Sequence, residues 1–125
     1  MLTIRPVQMQ AFDATAKQVF IDSVTLEIRL HLADKVADLS PDALRLRVAD
    51  GLERAARYGF KKKYSLSMFI QLLFLAAPDF DQYPPIRHIL QDPRLAPDDR
   101  IDHVIETLRN ADWIDVQRRA ARALP

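Results

Sequence analysis

The side chains best suited to acid–base or metal chemistry are the three histidines, His31, His88 and His103, and the aspartates Asp79 and Asp81 that flank Phe80. Paired carboxylates can serve as general acid and base or as calcium ligands, and an imidazole beside carboxylates can act as an oriented base. His103 has such neighbours in Asp99, four residues earlier, and in Asp102. An enzyme would therefore be built on Asp79, Asp81, Asp99 and His103. Against it, no histidine belongs to an HExxH or similar metal spacing, and the Asp79–Asp81 segment lacks the loop glycine and terminal glutamate of an EF-hand. The structural account competes on each count. His103 reads as a surface residue of a charged helix and His31 as a partly buried packing residue. Asp79 and Asp81 form turns or cap the next segment while Phe80 enters the core.

The rest of the inventory is poor in chemistry. With Cys 0 there are no disulfides, thiolate nucleophiles or cysteine-ligated metals. With only Gly51 and Gly59, neither GxGxxG nor GxxxxGK[ST] can be written. Ser23, Ser40, Ser65 and Ser67 are explained by capping or helix positions, and no GxSxG elbow exists. The expectation is a protein without catalytic residues, cofactor or metal.

A second constellation suits binding. Arg54, Arg57, Lys61, Lys62 and Lys63 form a basic patch with Tyr58, Phe60 and Tyr64 interleaved, the combination on which single-stranded nucleic acid stacks. Between Asp79 and Glu106 seven acids face three bases, so charge is separated along a chain whose net charge is only +1. That arrangement suits a protein partner, pairing within the fold, or a solvated face as well as it suits RNA. For a protein partner, one contact region is Arg54, Arg57, Lys61, Lys62 and Lys63, and another is Asp79, Phe80, Asp81 and Tyr83.

These residues must be carried by helices. The 125 residues make one domain, 1–125, and 49% hydrophobic with 28% charged content is that of a folding globular chain. Met9, Phe12, Ala16, Val19, Phe20, Ser23 or Val24, then Ile28, Leu32 and Val36 recur at helical spacing, which predicts one long helix or two in line from Pro6 to about Leu39, with room for a bend near Ser23. Ser40-Pro41-Asp42 starts a second helix with Leu44, Val48, Leu52 and Ala55 or Ala56 on one stripe, ended by Gly59. Lys61-Lys62-Lys63 is a solvated connector, and Ser65 caps a third helix, Leu66–Ala77, that is apolar all round and so forms the centre. Pro85 opens a short fourth helix that stops before Asp92-Pro93, and Ala96-Pro97-Asp98-Asp99 opens a fifth with Ile101, Val104, Ile105 and Leu108. A last segment carries Trp113, Ile114, Val116, Ala120 and Leu124. The expected fold class is all-α, a compact single-domain bundle of five to six helices around a central apolar helix. Leu66–Ala77 is far shorter than a membrane span, and Met1–Pro6 lacks the pattern of a secretory signal, so a cytoplasmic protein without membrane contact is expected.

Three segments together carry a resemblance: Ile4-Arg5-Pro6-Val7-Gln8-Met9-Gln10 followed by Phe20; Gly51-Leu52-Glu53-Arg54-Ala55-Ala56-Arg57-Tyr58-Gly59; and Asp79-Phe80-Asp81 with Ile89-Leu90-Gln91-Asp92-Pro93. The chain resembles small bacterial proteins encoded beside type VI secretion spike, PAAR-repeat and effector proteins. The resemblance implies an adaptor, chaperone or immunity partner of a secretion effector or spike component, and it brings no catalytic residues. The expectation is therefore a non-enzymatic protein-interaction module, with a small nucleic-acid-binding domain using Arg54–Lys63 as the alternative and self-association left open.

Overall fold

The computed structural model describes residues 14–110. Its elements are α1 (Ala14–His31), α2 (Pro41–Arg57), α3 (Lys63–Leu75), α4 (Pro84–Leu90) and α5 (Arg100–Arg109), with single 3₁₀ turns at Ala33–Lys35, Phe80–Gln82 and Pro97–Asp99. Among the described residues the fold is all-α, and none of their helices is long and apolar enough to cross a membrane. The expected segment from Trp113 to Leu124, like the expected start of the first helix at Pro6, lies outside the described residues.

α1 is continuous from Ala14 to His31, past Ser23, and within it the Thr25 hydroxyl donates to the Ile21 carbonyl at 2.7 Å. The helix stops at His31 rather than near Leu39. A 3₁₀ turn then brings Val36 round into the core, where it is 7% exposed, and lets α2 pack back on α1. Burying Val36 in this way reverses the chain, which a continuing helix could not do. Phe20, Ile21, Val24 and Ile28 form the buried face of α1.

α2 begins as its sequence dictates. Ser40 Oγ accepts the Ala43 N–H at 3.1 Å, and Pro41 takes the first position. Leu44, Val48, Gly51, Leu52 and Ala55 are buried, Ala56 is exposed, and Gly59 leaves the helix at φ +95°. α3 starts three residues earlier than expected: Lys62 is its N-cap residue, without a side-chain cap, and Ser65 is buried inside the helix. It buries Leu66, Phe69, Ile70 and Leu72, half-buries Met68, Leu73 and Phe74, leaves Leu75 40% exposed, and packs against α2 and α5. α4 packs on α5 through Ile86 and Leu90 against the face of Ile101, Val104 and Leu108. One hydrophobic cluster joins all five helices.

Candidate functional site

The site grows from the last turns of α2. Arg54 and Tyr58 are four residues apart and so share a helix face, and both turn toward the loop that follows α3. That loop is anchored by Phe80, fully buried with its ring centroid 5.1 Å from that of Phe69. Phe69 also meets Tyr58 at 5.5 Å and Phe60 at 5.8 Å, so one aromatic cluster ties the end of α2, the middle of α3 and the loop together. With Phe80 fixed, its neighbour Asp81 is carried beneath Arg54.

Asp81 is 2% exposed and its carboxylate is fully engaged. Oδ1 accepts from Arg54 Nη2 at 2.5 Å, while Oδ2 accepts from the Tyr58 hydroxyl at 2.7 Å and from Gln82 Nε2 at 3.3 Å. Arg54 Nη1 donates to the Pro78 carbonyl at 3.1 Å. Burial, then the bond to Asp81 and that carboxylate's charge, push the Tyr58 phenol up to about 12, against the opposing pull of Arg54 and Arg87. The phenol is thereby held as a donor, unsuited to act as a base near neutral pH. Over this network lies an open cleft of about 490 Å³ lined by Arg54, Arg57, Tyr58, Asp79, Asp81 and Gln82. Arg54 also lines a second cleft of about 390 Å³, whose other walls include Arg47, Asp50, Gly51 and Pro78.

The two contact regions expected from the sequence thus meet: Arg54 from the basic run and Asp81 from the acidic loop are each other's partner. Phe80, expected as a contact residue, has no exposed surface, and Asp81 has almost none; a partner docking here reaches Arg57, Asp79 and Gln82 on the cleft wall. Tyr83 is half-buried and closes the Phe80–Gln82 turn through its N–H to the Phe80 carbonyl. Asp79 and Asp81 lie in turns, as expected; neither caps a helix with its side chain, and Asp81 turns inward to Arg54.

The basic run is divided as well. The backbone N–H groups of Lys61 and Lys62 donate to Asp98 Oδ1 at 3.1 and 3.0 Å, leaving their side chains exposed. Partial burial opposes ionisation of Asp98, but those two bonds, together with the Ser65 hydroxyl and the Lys62 charge, outweigh it and hold the carboxyl below its usual range. Lys63 belongs to α3 and lines a groove toward α1. Of the interleaved aromatics, Phe60 is 3% exposed, Tyr58 is half-buried, and Tyr64 alone stands out at 57%.

His31, His88 and His103 are all exposed, which corrects the packing role expected for His31. Among the described residues no three His, Asp or Glu side chains gather as metal ligands. His103 and Asp99 lie exposed on and before α5, and no hydrogen bond or ion pair joins them to Asp79 or Asp81.

Spacing along the chain does not by itself join Arg54, Asp81 and Tyr58, or tie Asp98 to the start of α3. A signal for the first existed: a phenylalanine between two aspartates that enters a core must carry a neighbouring carboxylate close to it, and such a carboxylate needs a cation. No family model matches the chain, and neither the curated proteins nor the solved structures compared with it give a significant match.

Proposed function

We propose that the chain is a non-enzymatic protein-interaction module whose contact surface is the pair of clefts that share Arg54. One observation carries this reading: the buried polar groups under the clefts are satisfied by one another, while charged groups on the walls, Arg47, Asp50, Arg57 and Asp79, face outward. A rigid, internally paired floor with a charged wall is what recognition of a macromolecular surface requires. Arg87, close enough to oppose the rise in the Tyr58 phenol, adds to Arg57 a second exposed cation, so the surface suits an acidic segment of the partner.

The resemblance to proteins encoded beside type VI secretion genes supplies the class of partner, an effector or spike component for which the chain acts as adaptor, chaperone or immunity protein. The nucleic-acid alternative is less well supported, since Tyr58 and Phe60 are packed against Phe69 and cannot stack on bases. The test is co-purification of the full chain with the products of its neighbouring genes. Retention of an effector or spike protein, lost on Arg57→Glu, is the expected result. A salt-sensitive shift of single-stranded RNA with no protein retained would replace this reading by the alternative.

A further inference from the structure

α1 carries a second apolar stripe that the core does not use. Its buried residues are Phe20, Ile21, Val24 and Ile28, yet Val19, Leu26 and Leu30 are 62%, 57% and 67% exposed. With Ser23, itself exposed, they follow spacings of four, three and four, the a/d pattern of a coiled-coil seam. At 3.6 residues per turn the three large side chains fall within a strip about 40° wide on the exposed side of α1, at whose edge Val19 and Ser23 also line the groove toward α3. Scattered exposed leucines need no explanation, but a seam in register along one helix does.

We propose that this seam is an isologous interface at which α1 of one copy packs antiparallel against α1 of a second copy. The charges beside the seam select the occupant and the direction. In the antiparallel register that sets Val19 against Leu30 and Ser23 against Leu26 of the second copy, the flanking Asp22 faces Arg29 of the other chain, and by symmetry the pair forms twice. A parallel seam would instead set Asp22 against Glu27, acid against acid. Asp22 is available for this contact: Arg45 Nε takes its Oδ1 at 2.9 Å, its Oδ2 takes no bond among the described residues, and its side chain is 63% exposed. Size is complementary too, because the small Ser23 receives the larger Leu26 in both halves of the interface. Three apolar anchors per copy make a modest interface, so the dimer is a concentration-dependent one.

Sedimentation equilibrium of the full chain over a concentration series tests this. The expected result is a mass rising from 14.4 kDa toward twice that value, with the dimer weakened at least about tenfold by Leu26→Asp. Leu26 lies outside the core, and circular dichroism shows whether the variant keeps its helix content; Leu30→Asp serves in its place if it does not. In an Arg45→Ala background, which removes the internal partner of Asp22, Asp22→Arg and Arg29→Asp each weaken the dimer and the double swap restores it. A chain that stays monomeric throughout, a dimer indifferent to both leucine changes, or charge swaps that fail to rescue each other would overturn the proposal.

Discussion

Asp81 accepts hydrogen bonds from Arg54, Tyr58 and Gln82, and its removal leaves a half-buried guanidinium and a phenol without their acceptor. Breaking a fully buried pair costs several kcal/mol; the Arg54 side chain keeps 28% of its surface in water, which lowers the cost. Asp81→Ala is expected to destabilise the fold by about 2–3 kcal/mol, read as a shift in the urea midpoint. The same network sets an alkaline limit. Tyr58 holds its proton more tightly folded, at about 12, than at its ordinary value of 10.0, so between those values the native state binds more protons than the unfolded chain. Its stabilising contribution is complete below pH 10, falls as pH rises, and is lost through pH 12. Denaturant midpoints across that window should fall more steeply for the wild type than for Tyr58→Phe, which has no phenol to ionise. At Gly59 the backbone sits at φ +95° with Pro97 beside it, where a Cβ would come within 3.2 Å of the proline ring. Gly59→Ala should cost about 1–2 kcal/mol from the left-handed backbone alone, checked by thermal or urea unfolding.

Between elements, the beginning of α3 is decided by a residue more than thirty positions away in the chain. Asp98 accepts the N–H groups of Lys61 and Lys62 just before the helix, while the buried Ser65 hydroxyl donates to the Asp98 carbonyl oxygen at 3.3 Å. The carboxylate thus fixes the chain where it enters α3, across the tertiary fold, whereas Ser40 caps the first turn of α2 from within its own segment. Asp98→Ala should cost about 1–2 kcal/mol, with hydrogen exchange speeding first at Lys61 and Lys62. The crossing of α2 and α3 depends on Gly51, where a Cβ would lie 2.9 Å from Leu73 Cδ1 and 3.3 Å from Ile70 Cγ1. Leu73 is half-buried and its tip can swing, and alanine improves helix propensity by about 1 kcal/mol, so Gly51→Ala should be close to neutral. Gly51→Leu has no such room and should lose about 2–3 kcal/mol in the same unfolding measurement.

For the molecule as a whole, a net charge of +1 creates no steering field, and recognition rests on local surfaces. At the clefts around Arg54, Arg57→Glu should weaken binding of the acidic partner by about tenfold, about 1.4 kcal/mol, and reduce its salt dependence, measured by calorimetry with the co-purified protein. Unfolding midpoints should not move, since the Arg57 side chain is exposed and makes no hydrogen bond or ion pair among the described residues. The stripe on α1 and the clefts at the end of α2 are separate surfaces, so Leu26→Asp should leave partner binding unchanged.

Much of the architecture could be read along the chain. The all-α class, the start of α2 at Ser40-Pro41, its end at Gly59 and the proline-led start of α4 were legible because caps, prolines and left-handed glycines act within about four residues of themselves. Where α1 stops, where α3 begins and what becomes of the basic and acidic segments were not legible. Val36 must turn inward to meet the core, Asp98 must come from the distant 3₁₀ turn before α5, and Arg54 and Asp81 are joined only because Phe80 is buried against Phe69. What the sequence by itself determined is the all-α class and the helices α1 to α5, through local propensity and periodicity, but not the whole apolar face of α1: Val19, read on its stripe, is 62% exposed, and Ile21, read outside it, is 2% exposed. Only the tertiary structure decided which charges remain at the surface, because a charge that meets its opposite in the core's margin is withdrawn from water and from any partner, and spacing along the chain cannot say which ones will meet.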